Sequence, residues 1–191
     1  MAALIAGLLL VIGVHALRLV APGLRGQVIA RHGAGVWRAA HSLASLAGFA
    51  LLVWGYGQTR ADPLWLWLPP PWSRHATATL MLPAFVLLAA SLLPGSRIAA
   101  LLRQPLAAAV ALWGGAHLLA NGTLADLLLF GSFLIWAMID FVLLRRREAD
   151  DPAARPVAGV ARDLQVLLVG VAGWAAFAFW LHGPLIGVRP F

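Results

Sequence analysis

Residues 124–144 read LADLLLFGSFLIWAMIDFVLL, a stretch whose only ionisable side chains are Asp126 and Asp140. About 20 predominantly apolar residues are needed to cross roughly 30 Å of hydrocarbon, and this stretch meets that requirement without help from its neighbours. It reads as a membrane span. Working outward, comparable runs cover about Ala2 to Val20, Val36 to Tyr56, Ala76 to Leu93, Pro105 to Ala120 and Leu164 to Leu181. The run from Pro105 is short, and the preceding Arg97–Gln104 stretch is expected to extend it within the interface. The expected fold is an all-α integral membrane protein, a compact bundle of about six transmembrane helices in one domain over residues 1–191.

Composition agrees. Of 191 residues, 62 % are hydrophobic and 11 % charged, against roughly 25 % charge in a soluble domain. A mean hydropathy of +0.87 leaves more apolar surface than one domain of this length buries, so the lipid bilayer is the expected solvent. The formal charge of +7 comes from 14 basic and 7 acidic residues, and every base is arginine. Nucleic acid is excluded as a partner, because the arginines are spread between apolar runs instead of gathered on a soluble face. Without cysteine there is no disulfide, thiolate ligand or cysteine nucleophile.

Short connections favour antiparallel neighbours. In Asn121-Gly122-Thr123, Asn-Gly is expected to close one helix with a left-handed residue. Thr123 and Asp126 form the start of a capping box, which gives Asp126 a structural role. Between Gln58 and Arg74, Trp65, Trp67 and Trp72 surround Pro69–Pro71, which reads as an extended interfacial loop. With six spans, 11 of the 14 arginines fall on or beside the face carrying loops one, three and five, Arg145, Arg146, Arg147 and Arg155 among them. Only Arg60, Arg74 and Arg189 fall on the other. The positive-inside rule makes the first face cytoplasmic and both termini periplasmic. The first run lacks a preceding base and a cleavage pattern, and is expected to remain as an anchor.

An ionisable group kept at depth in lipid is a functional candidate by default. His15, His41 and His117 qualify, whereas His32, His75 and His182 lie at loops or span ends. Arg18 follows His15 by three residues and Arg38 precedes His41 by three, so each pair shares a helix face. In both helices the arginine lies one turn nearer the cytoplasm. One reading is a macrocycle with two acidic arms, its iron held by imidazole and its propionates by Arg18 and Arg38. In the other, the arginines snorkel to headgroups and the histidines hydrogen-bond across helices. Depth alone pairs His15 with His41. His117 follows Gly114 and Gly115, which admit either a neighbouring helix or a flat cofactor. Asp140 reads as an ion-pair partner of Arg145–Arg147. No GxSxG, HExxH or phosphate-cradling glycine loop is present, so hydrolase, peptidase and nucleotide-driven pump readings have no support.

His15-Ala16-Leu17-Arg18, Arg38-Ala39-Ala40-His41-Ser42-Leu43, and above all Arg103-Gln104-Pro105 leading through Leu112-Trp113 to Ala116-His117-Leu118-Leu119-Ala120-Asn121-Gly122 resemble the NnrU family. The resemblance covers nearly the whole chain and is most specific from Arg103 to Gly131. It implies a small bacterial inner-membrane protein associated with nitrite and nitric oxide metabolism. The family is similar to the zeta-carotene isomerase of plants and cyanobacteria, which uses haem b held by histidines. That similarity implies heme b as cofactor with His15 and His117 as axial ligands, and leaves His41 as an alternative ligand or a neighbour. Two positions depart from the pattern. Gln104 stands where family members often carry histidine, and Gly114 where the isomerase has cysteine, so a ligand switch through that cysteine has no counterpart here.

Three functions follow as expectations. The first is a haem-b protein supporting nitrite or nitric oxide (denitrification) metabolism, with His15 and His117 on iron and Arg18 and Arg38 on the propionates. The second is a cofactor-free assembly partner of a respiratory reductase, whose arginine-rich face docks membrane partners or anionic lipid. The third is a haem-dependent cis–trans isomerase of carotenoids or other isoprenoids.

Overall fold

The computed structural model describes residues 1–149 and 158–190. Every regular element among them is helical: α1 (Ala2–Val20), α2 (Leu24–Thr59), α3 (Ser73–Leu92), α4 (Arg97–Leu102), α5 (Pro105–Ala120), α6 (Leu124–Arg147) and α7 (Val160–Ile186). Five of them, α1, α2, α3, α6 and α7, are long and apolar enough to cross a membrane. With 16 residues, α5 rises about 24 Å and falls short of a roughly 30 Å hydrocarbon layer. Arg155 lies outside the described residues.

The chain divides into two units, one of Met1–Leu66 with Thr123–Ser132, the other of Trp67–Gly122 with the described residues from Phe133 onward. In the first unit α1 and α2 pack antiparallel, and small residues set their spacing. A Cβ on Gly7 would fall on the Leu52 backbone, one on Gly55 on the Leu4 backbone, and one on Gly48 within 2.9 Å of Val11 Cγ2. Without a hydrophobic drive between helices in lipid, such close backbone approach is what holds them. Leu4, Leu8 and Leu52 fill this seam.

Residues 24–35, expected as a loop, are helical instead, and α2 breaks only at Gly33 (φ 85°, ψ 158°). That conformation is open to glycine and strained for other residues. A leading segment, residues 24–32, is thereby set off from the long segment that pairs with α1. At the other end of α2 the chain turns at Arg60 and runs extended past Trp65, which bridges Thr123, while Leu64 O accepts from Leu124 N at 2.8 Å. The expected extended tryptophan-proline segment is present. The Thr123–Asp126 capping box also forms, with Thr123 N donating to Asp126 Oδ2 (2.9 Å) and Asp126 N to Thr123 Oγ1 (3.2 Å).

In the second unit α3 packs against both α5 and α7. A Cβ on Gly170 would come within 2.6 Å of Val86 Cα, and Trp174 Nε1 donates to Ala78 O at 2.9 Å. Ala89, Ala90, Ala99 and Val166 form a buried cluster. Above it, Asp163 accepts from Arg97 N at 2.8 Å and pairs with Arg97 Nε at 3.4 Å. The stretch before α5 does not extend that helix. Arg103 sits at φ 62°, ψ −39°, and Gln104 N donates to Leu102 O at 2.7 Å. This tight γ-turn separates α4 from α5. The left-handed residue expected at Asn121-Gly122 is absent too. Asn121 is extended, and Gly122 is required for a different reason: a Cβ there would fall on the Trp67 carbonyl, and Trp67 N donates to Gly122 O at 3.1 Å.

Candidate functional site

His15 and His41 come together on the α1–α2 seam. The close approach at Gly7, Gly48 and Gly55 fixes the register, and one turn past Val11 on α1 and two turns before Gly48 on α2 it places the two imidazoles in contact, ring centroids 5.3 Å apart and edge to face at 69°. The pairing expected from depth is therefore present. Trp37 covers the other side of His41 at 5.8 Å. His15 Nδ1 lies 2.8 Å from Val11 O. A carbonyl only accepts, so Nδ1 is the donating nitrogen in this contact. Arg18 and Arg38 are exposed, one turn further along each helix in the same direction. His32 and His75 are exposed, and His182 Nδ1 lies 2.5 Å from Val188 O.

His117 belongs to the second unit. Its Nδ1 lies 2.9 Å from Trp113 O, the same bond to the carbonyl four residues back that His15 makes. The Trp113 ring stacks at 5.4 Å, tilted by 46°, and Phe133 of α6 meets Trp113 edge-on at 5.7 Å. Around the histidine the α5 backbone is tied down from two sides. Thr77 of α3 donates to Ala116 O at 2.7 Å, and Asn121 Nδ2 donates to His117 O at 2.8 Å. Gly114 is buried. At Gly115 a Cβ would meet Leu134 Cδ1 at 4.0 Å, an ordinary van der Waals contact.

Two further polar sites complete the picture. Asp126 is buried, with Oδ2 taken by Thr123 and Oδ1 accepting from Tyr56 OH at 2.6 Å. Tyr56 is the sole tyrosine of the chain and stands 70 residues from Asp126. Only its solitary presence at the end of an apolar run could have marked it in the sequence. Asp140 is fully buried in α6, and the Arg145 guanidinium lies over the Phe141 ring at 5.6 Å.

Among the described residues no group of three or more His, Asp or Glu gathers as a cage for a bare metal ion. A haem asks less of the protein, because the macrocycle supplies the equatorial nitrogens and the chain adds only axial imidazoles. His15 and His117, one in each unit, each hold Nδ1 against the carbonyl four residues back, a setting that suits an imidazole ligand. His15 and His41 touch edge to face. As arranged, His41 is a ring neighbour of His15.

The fold and these residues define a class: all-helical proteins with several helices able to cross a membrane and with imidazoles set within them. The chain matches the family described as NnrU protein over residues 3–190. It belongs to the NnrU family. No curated protein and no solved structure matches it.

Proposed function

We propose that this chain is a haem-b-binding protein of the bacterial inner membrane, in nitrite or nitric oxide metabolism, with His15 and His117 as iron ligands. The observation that carries the reading is the matched setting of the two histidines: Nδ1 to the Val11 carbonyl at 2.8 Å in one, to the Trp113 carbonyl at 2.9 Å in the other. Metal-bound histidines usually donate their second nitrogen in this way, which fixes the tautomer, aims the ring and raises its basicity. Arg18 and Arg38 lie exposed, one turn from His15 and His41, where guanidinium groups would meet propionates through charge-assisted hydrogen bonds. Bound haem would supply redox chemistry and an iron able to take small ligands. The chain's own contribution is to hold the imidazoles, balance the propionates and keep hydrocarbon around them. The arginine distribution supports a topology with both termini on the periplasmic side.

The test is an absorption spectrum of detergent-purified protein, oxidised and dithionite-reduced, for the parent, His15→Ala and His117→Ala. A Soret band in the parent that is lost or strongly weakened in both variants is the expected result. Colourless parent protein from haem-replete cells would overturn the reading and favour the cofactor-free assembly partner. Arg18→Gln and Arg38→Gln are expected to keep the band but release haem faster to apomyoglobin.

A further inference from the structure

The basic end of the first unit has a feature that haem binding does not use. The leading segment of α2, residues 24–32, lies between the Pro22-Gly23 turn and the Gly33 break, so it is free to leave the direction of the span that follows. At 3.6 residues per turn, Leu24 and Val28 stand side by side on this segment, with Arg31 on one flank and Arg25 and His32 on the other. Leu24, Val28 and Ile29 are half-buried, whereas Arg25, Gln27, Arg31 and His32 are exposed. An apolar stripe bordered on both sides by cations is the pattern of a helix lying at the boundary between acyl chains and headgroups.

Nothing in α1 or α2 neutralises this end. The chain has no Asp or Glu before Asp62. Within the first unit, Asp62 lies beyond the far end of α2, the buried carboxylate of Asp126 is engaged by Tyr56 and Thr123, and Tyr56 stands about 38 Å along α2 from Arg31 by helical rise. No carboxylate of the first unit stands near Arg25 or Arg31. Cationic side chains near a membrane surface attract anionic headgroups through their charge.

We propose that residues 24–32 form an interfacial helix whose Arg25, Arg31 and His32 bind the headgroups of anionic phospholipids, anchoring the α1–α2 pair to a negatively charged leaflet. The site goes beyond the haem reading and uses none of its residues, so either can fail alone.

The experiment uses full-length, delipidated protein in detergent, titrated with phosphatidylglycerol or phosphatidylcholine and read by native mass spectrometry and by thermal unfolding. The parent is expected to retain phosphatidylglycerol in preference to phosphatidylcholine and to gain thermal stability from it, with the preference shrinking in high salt. Arg25→Gln with Arg31→Gln should weaken phosphatidylglycerol binding by about thirtyfold, from two arginines near an anionic surface. Its Soret band should match the parent's, and Arg25→Lys with Arg31→Lys should keep most of the lipid preference. Equal binding of the two lipids by the parent, an undiminished preference in the glutamine variant, or a folded lysine variant that loses the preference would each overturn the proposal. If the Soret band disappears while the lipid preference stands, the haem reading fails and this one survives.

Discussion

At the scale of single residues, the most exacting polar contact is Tyr56 OH to Asp126, 2.6 Å long and made to a carboxylate that is only 5 % exposed. Removing the hydroxyl leaves one oxygen of a buried carboxylate without its donor, at a cost of about 1–3 kcal/mol. Tyr56→Phe should therefore lower the unfolding temperature in detergent while leaving helix content unchanged, and a variant as stable as the parent would show that water replaces the phenol. This contact marks a limit of what could be read from the sequence. Thr123 and Asp126 are three apart, and their reciprocal bonds follow from local spacing. Tyr56 meets Asp126 only because α2 and the start of α6 share a unit, and spacing along the chain carries no trace of that. The histidines divide in the same way. His15 and His41 could be paired from depth on two antiparallel spans, whereas Thr77 reaching the Ala116 carbonyl beside His117 depends on the azimuth of α3, which has no clean apolar stripe to reveal it.

At the scale of elements, glycine decides where helices break and where they touch. Gly33 and Gly35 are two residues apart, and a Cβ would meet no atom within 4 Å at either. Only Gly33 has positive φ. A methyl group at Gly33 thus acts through the backbone alone and should destabilise by about 1–3 kcal/mol. At Gly35, in helical conformation, it should be neutral or stabilising by up to about 1 kcal/mol. Thermal unfolding of Gly33→Ala and Gly35→Ala side by side checks this, and equal effects would mean that α2 runs unbroken. The sequence shows both glycines but not which of them bends the chain, because the apolar run starting at Val36 gives no hint of a helical segment before it. Likewise the Asn-Gly pair at 121–122 looks like a helix stop with a left-handed residue, yet Gly122 is required by the backbone of Trp67 lying against it. Local turn chemistry was readable there; a tertiary neighbour changed its use.

At the scale of the whole molecule, the ends of the apolar helices were legible to within a few residues, except at the start of α2, which begins at Leu24 and not at the expected Val36; lipid demands long apolar helices, and polar residues interrupt them visibly. The arginine bias predicts which ends face the cytoplasm, and the absence of cysteine makes that easy to check. In intact cells or spheroplasts, a membrane-impermeant maleimide should label Arg60→Cys and spare Arg146→Cys until the membrane is opened; the reverse pattern would invert the topology. Helix α5 carries a consequence of another kind. Set across a bilayer, a helix of 16 residues would be about 6 Å shorter than the hydrocarbon layer, a mismatch that local thinning relieves. His117 stands three residues from the end of α5, within about 5 Å of solvated headgroups. Under the haem reading proposed above, a small polar molecule would then meet that imidazole close to the headgroup layer, without crossing the full depth of hydrocarbon.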